Sequence, residues 1–335
     1  MRKVKSRLLA AAVAGATTFA VAACGTVGSG SGSGPQPKPA NEVTIGFAAR
    51  QMDAPFYVAM QAVAEQKAKE KGFKLLFQNA NGDPVTQINQ VQTMLSQGAD
   101  VIVVDAKSPE TERAQLTQVA SQVPLLFVDT GIPGVGVTSI QSDNHEIGRL
   151  SGQLTAKRLG GGKTVQVGVL NGGPNDEIVG PARQNGFLDG LKEGGVTPQV
   201  VASASGNYTQ EEAVPATESM LAANPGIGVM LGLNDSMALG ALQVLRNQGN
   251  TNVLVAASAD GQKEALAEIA KGCDSQYVST GLNSPDLAAH AAFDTALGIA
   301  TGEKDPKTLP KDTNTRAAGI GCENVKEFYN PESIF

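Results

Sequence analysis

From residue 43 onward, short apolar runs recur along the chain with polar or amphipathic stretches between them. They fall at 43–47, 75–77, 101–104, 125–128, 165–170, 200–201, 229–231, 253–255 and 277–281. Runs this short and this free of charge predict strands buried on both faces, as in a parallel sheet. The intervening segments have helical spacing. Phe56, Met60 and Val63 share one face, as do Ile88, Val91 and Leu95; Met237, Ala241, Leu242 and Leu245 form another, with Gly249 placed as a helix stop. Strand–helix alternation of this kind predicts an α/β fold of doubly wound layers. An internal echo runs through it: Met94-Leu95, a glycine turn and the run 101–104 are matched by Met220-Leu221, Asn224-Pro225-Gly226 and the run 229–231. With about 295 residues in this region, one ordinary core is exceeded and two domains are expected.

The N-terminus has a different pattern. Arg2, Lys3, Lys5 and Arg7 precede an uncharged apolar stretch at 8–23. A permanent membrane span needs ~20 apolar residues, so 1–23 reads as a secretory signal. It ends in Val21-Ala22-Ala23-Cys24, which resembles the bacterial lipobox, with Cys24 as the expected lipidation site. Gly, Ser and Pro then dominate 24–41, a composition expected to form a flexible tether. The chain has 26 basic and 32 acidic residues, and the leader takes four of the basic ones; the body is left with 22 against 32, a formal −10. That balance argues against a nucleic-acid partner or an anionic lipid surface. Once Cys24 is set aside, Cys273 and Cys322 remain, and in an oxidising compartment they are either bridged or two separate buried thiols.

The motifs of common chemistries are missing. The two histidines, His145 and His290, stand in no metal-ligand spacing, and no phosphate loop or nucleophile elbow occurs. Gly160-Gly161-Gly162 precedes a strand, so it reads as a helix-ending turn. No enzyme, cofactor or metal is expected.

In open α/β sheets ligands bind beyond the carboxyl ends of the strands. The apolar runs lead into the 51–57 loop with Phe56 and Tyr57, then Asp129, the 171–187 stretch with Arg183, Asn234, Asp260 and Asn283; Tyr208 stands at a further loop position. Carboxylates accept, a guanidinium donates in a fork and amides do both, which suits a ligand rich in hydroxyl groups. Aromatic faces cover the apolar side of a sugar ring. Plainer readings stand beside this one: Asp129, Asn234 and Asp260 also suit helix caps, Arg183 a solvated helix charge, and Phe56 or Tyr57 the core.

These residues carry a family resemblance. The chain resembles the type I periplasmic sugar-binding proteins, close to ribose-binding protein, from Val43 to about Val325. The matching motifs are Pro55-Phe56-Tyr57, Val128-Asp129, Ser142-Asp143-Asn144 with Gly148, Arg183-x-x-Gly186-Phe187, the 234–241 run opening Asn234-Asp235, and Asp260-Gly261. The resemblance implies two Rossmann-like lobes joined by three crossings, near Asp143, Asn283 and 311–313. The N-terminal lobe is then 42–142 plus 284–312, and the C-terminal lobe 143–283 plus 313–335. It also implies that Phe56, Tyr57, Asp129, Arg183, Tyr208, Asn234, Asp260 and Asn283 hold the sugar. Such a protein acts as a monomer, is held to the outer face of the cytoplasmic membrane by its lipid, and delivers a monosaccharide or sugar alcohol to the permease subunits of an ABC importer. Alternatives are a sensing module for a chemoreceptor or kinase, a LacI-type regulator, which the leader argues against, and a secreted glycosidase. Two positions depart from the ribose pattern: Ala54 replaces an amide residue and Thr130 an arginine, so two hydrogen-bonding groups are missing and ribose itself is in question.

Overall fold

The computed structural model describes residues 37–335 except Asn175, so the expected leader, Cys24 and most of the tether lie outside the described residues. The tether ends before residue 41. Lys38 N already donates to Ala300 O (3.1 Å), and Ala40–Glu42 form a turn of 3-10 helix.

The first half of the body alternates β1 (Thr44–Ala49), α1 (Pro55–Lys71), β2 (Lys74–Asn79), α2 (Pro84–Ser96), β3 (Val101–Val104), α3 (Pro109–Ala120), β4 (Leu125–Val128) and β5 (Ser139–Gln141). The chain then enters a second unit: α4 (Asn144–Leu159), β6 (Lys163–Asn171), α5 (Val179–Glu193), β7 (Val196–Ser205), α6 (Gln210–Ala223), β8 (Ile227–Gly232), α7 (Asp235–Asn247), β9 (Leu254–Ala257), α8 (Lys263–Ile269) and β10 (Tyr277–Gly281). It returns to the first through α9 (Pro285–Ala300) and β11 (Asp312–Asn314), and ends in the second with β12 (Gly319–Gly321). Prolines at the starts of α1, α2, α3 and α9 stop each preceding segment from continuing as helix and preset the first turn.

Two six-stranded sheets result, ordered β11-β5-β4-β3-β1-β2 and β12-β10-β9-β8-β6-β7. All pairings are parallel except β12 against β10. The two orders are the same pattern, and the echo in the sequence falls on equivalent pieces, α2 into β3 and α6 into β8. In each sheet the order reverses beside the first strand, which opens a crevice at the strands' carboxyl ends. The two lobes fit the type I periplasmic binding protein fold.

Three expectations are corrected. The runs at 75–77 and 200–201 are not buried on both faces. They belong to β2 and β7, the edge strands, and Val200 and Val201 remain 42% and 36% exposed. The third crossing does not lie at 311–313: Asp312, Thr313 and Asn314 still pair with Ser139, Ile140 and Gln141, so the passage follows Asn314. Nor does the tail stay with one lobe. Val325 packs into the second core, while Phe335 is buried in the first, edge-on to Phe56 (ring centroids 5.6 Å).

The cysteine question is resolved as a Cys273–Cys322 disulfide, Cα–Cα 5.0 Å. It ties the loop after α8 to the end of β12. Among the described residues no helix is long and apolar enough to cross a membrane.

Candidate functional site: a cavity between the lobes

Each lobe delivers side chains from its strand ends. In the first lobe, the backbone leaves β1 at Arg50, and Pro55 starts α1 so that Phe56 and Tyr57 fall in its first turn, both buried. Asp129 follows β4 in a left-handed conformation (φ 61°), held by its own N–H to Ile140 O (2.9 Å). In the second lobe, α4 and α5 pack closely through glycines; a Cβ at Gly148 or Gly186 would fall on the backbone of the facing helix. This contact sets α5, and with it Arg183. Tyr208 is also left-handed (φ 63°). Such a conformation costs a bulky residue on the order of 1–3 kcal/mol and is typical of functional sites.

The eight residues named from the sequence line one cavity of about 320 Å³, counting the space at its mouth, and Arg50, Ala54 and Val179 complete the wall. The enclosed space between these side chains is only about 20 Å³, far below the roughly 300–1,000 Å³ of ligand sites, so the residues close on one another. Asn283, at the second crossing, joins the two sides. Its Nδ2 donates to Asp129 Oδ1 (3.3 Å) and Asp260 Oδ1 (3.1 Å), while its Oδ1 accepts from Ser142 Oγ (2.7 Å) at the first crossing.

Arg183 is 3% exposed, so it is not a solvated helix charge. Its Nε donates to Asn144 Oδ1 (2.8 Å), Nη1 to Leu233 O (3.2 Å), and Nη2 lies 3.3 Å from Asp260 Oδ1. Its guanidinium stands 5.9 Å over the Tyr208 ring, whose hydroxyl donates to Asp176 Oδ2 (2.7 Å). Asn234 is a helix cap that also lines the cavity: its Oδ1 accepts from Met237 N at the start of α7 (3.0 Å), and its Nδ2 donates to Tyr208 O (3.2 Å). Asp129 and Asp260 cap no helix; β5 follows the first, and Gln262 precedes α8 after the second.

Burial pushes the Asp260 carboxyl up to about 7, with Arg183 pulling the other way. Behind it lies Asp235, fully buried. Its Oδ2 accepts from the N–H groups of Asp260 (3.1 Å), Gly261 (2.6 Å) and Gln262 (2.7 Å), and its Oδ1 from Tyr277 OH (2.5 Å). Asp235 thus fixes the loop that aims Asp260. Sequence reasoning placed it in a motif but gave it no role.

Arg50 was missed altogether. Its Nη1 donates to Thr130 Oγ1 (3.1 Å) and its Nη2 to Lys107 O (3.4 Å). Asp105, beyond β3, stands 4.0 Å from Nη1, fully buried, and burial holds its carboxyl well above the usual range. The available signal was a lone charge directly after an apolar run, hidden because the loop was read from Gln51.

Comparisons with known proteins identify the family. The periplasmic binding protein domain family matches residues 45–304. The ribose import binding protein of Bacillus subtilis (strain 168) is 29% identical over 273 residues, covering 80% of this chain and 85% of that protein. A xylitol-binding protein of Mycolicibacterium smegmatis is 27% identical over 314 residues, covering 92% and 84%. The structure of an ABC transporter solute-binding protein from Mycobacterium smegmatis with bound glycerol superposes with a TM-score of 0.78 at 29% identity, covering 88% of this chain and 99% of that one. The chain belongs to the periplasmic binding protein domain family, in its type I, sugar-binding branch, whose members are exported solute-binding proteins.

Proposed function

We propose that the protein captures a monosaccharide or sugar alcohol between its lobes and delivers it to the permease subunits of an ABC importer. The observation that carries this reading is the bridge at Asn283. Two carboxylates from equivalent strand ends of the two lobes converge on one amide inside a small, largely buried cavity. Such a set accepts from hydroxyls approaching on both sides, and Arg183 donates back. The relatives' ligands, ribose, xylitol and glycerol, are all polyhydroxylated.

The eight cavity residues are the ligand contacts in this reading. Ligand contacts to both lobes favour the closed arrangement, which the permease then recognises. The protein does not turn its ligand over. It works as a monomer, held to the outer face of the cytoplasmic membrane by lipid on Cys24.

A thermal-shift screen against D-ribose, xylitol, D-allose and myo-inositol tests the reading, because a ligand that binds only the folded state raises its melting temperature. At least one is expected to raise it in a saturable way. Four flat responses would overturn the assignment to sugars and polyols.

A further inference from the structure

Arg50 is 7% exposed and lines the cavity, yet its bonding is incomplete. A guanidinium has five N–H donors in a fixed fork. Thr130 Oγ1 and Lys107 O take one each, and the second of these contacts is long at 3.4 Å. Its Nε is buried with no hydrogen-bond partner among the described residues. Asp105, 4.0 Å away, is too far for a hydrogen bond, and neither of its carboxylate oxygens has a hydrogen-bond partner among the described residues. Arg183, across the cavity, donates through Nε and Nη1 and holds its third nitrogen 3.3 Å from Asp260 in an ion pair. A buried donor without an acceptor costs about 1–3 kcal/mol, so unspent donors in a cavity wall point to an acceptor that arrives from outside.

The placement is equally telling. The Arg50 fork rests on Thr130, next to Asp129, so a guanidinium stands beside that carboxylate although position 130 carries none. Each lobe thereby supplies one guanidinium and one carboxylate. Arg50 and Arg183 come from the first strand–helix unit of their lobes, and Asp129 and Asp260 from the ends of β4 and β9.

We propose that Arg50 is a ligand-contacting residue that sets specificity at the first-lobe end of the cavity, where its fork donates to two adjacent hydroxyl oxygens of a polyol. It corrects the expectation that Thr130 leaves this end short of a donor: the fork has moved to the end of β1. A point charge on a flexible stem cannot reproduce it, so lysine is no substitute.

This inference rests on the sugar reading, and the test separates the two. Wild type, Arg50→Ala, Arg50→Lys and the double variant Arg50→Ala with Thr130→Arg are titrated calorimetrically with D-ribose, xylitol, D-allose and myo-inositol. Arg50→Ala with Asp105→Asn is included so that no bare carboxylate is left buried if the single variant fails to fold. For the sugar that wild type binds best, both Arg50→Ala variants should lose at least tenfold in affinity and Arg50→Lys nearly as much. The Thr130→Arg double variant should recover a substantial part, which a merely structural arginine would not predict. Affinity within twofold of wild type in the folded Arg50→Ala variants would overturn the proposal, as would a double variant no better than Arg50→Ala. No binding by wild type to any of the four would instead defeat the sugar reading itself, and this proposal with it.

Discussion

The two lobes share a topology but differ in how they hold their polar groups at the cavity. In the second, Asp235 takes four donors and fixes the Asp260 loop, and Arg183 is held by two hydrogen bonds and its ion pair with Asp260. In the first, Arg50 Nε, both oxygens of Asp105 and Glu112 Oε2 are buried without partners among the described residues. Satisfied networks are rigid, whereas partly satisfied ones keep donors and acceptors available. One lobe thus holds its central carboxylate fully bonded, and the other keeps several buried polar atoms unspent.

The sharpest way to break this contrast is to remove the centre of each network. Asp235→Ala strands three backbone N–H groups and the Tyr277 hydroxyl in the interior. At about 1–3 kcal/mol per stranded group, partly relieved by relaxation, the loss should come to roughly 3–5 kcal/mol in urea unfolding. Asp105→Asn removes no hydrogen bond from the carboxylate, only a long ion pair with Arg50 (4.0 Å), and should destabilise clearly less than Asp235→Ala. Equal effects at the two positions would end the distinction between the two lobes.

The disulfide adds to the asymmetry, because both cysteines lie in the second lobe. The loop it closes spans 49 residues and passes out through the first lobe and back. Replacing Cys273 and Cys322 by serine should lower stability by about 2–4 kcal/mol, through a less constrained unfolded chain. Differential scanning calorimetry would show this as a lower melting temperature with cavity affinity little changed. A large loss of affinity would instead mean that the bridge also shapes the hinge.

At Arg183 the readout shifts from stability to binding. Arg183→Ala should weaken ligand affinity at least tenfold, about 1.5–3 kcal/mol for a hydrogen bond to a charged group. Unchanged affinity by calorimetry would remove Arg183 from the ligand site.

How far the sequence could be read depended on where burial writes a pattern. The central strands were legible because both faces are covered and the residues are apolar throughout. The edges were not: β7 carries Val200 and Val201 with much of their surface in solvent, and β11 is an exposed polar triplet that leaves no apolar mark. The third crossing was placed too early for that reason. The cavity residues were legible because parallel strands end on one side, so the polar residues after each run must converge. Arg50 escaped by sitting one residue before the loop, and Asp235 because a carboxylate turned inward looks the same in sequence as one turned to solvent. The bridge was not legible because a spacing of 49 residues says nothing about distance in the fold.

The smallest expected effect concerns pH, and it falls on the second lobe. The Asp260 carboxyl is raised from 3.8 to about 7, chiefly by burial. A carboxyl raised in the folded state favours its protonated form there, so its contribution to stability without ligand is fully present below about pH 4. That contribution is lost as pH rises through about 7. A ligand hydroxyl that donates to ionised Asp260 selects the opposite form. Affinity should therefore improve several-fold between about pH 5.5 and 8 and level off above, because below its pKa the site must release a proton to bind. Calorimetry in buffers of different ionisation heat would report that proton directly. Asp260→Asn should flatten the dependence at a lower affinity, and Asp105→Asn should leave the slope as it was. A slope that survives Asp260→Asn would mean another group takes the ligand's proton, and the distinction between the two carboxylates would have to be redrawn.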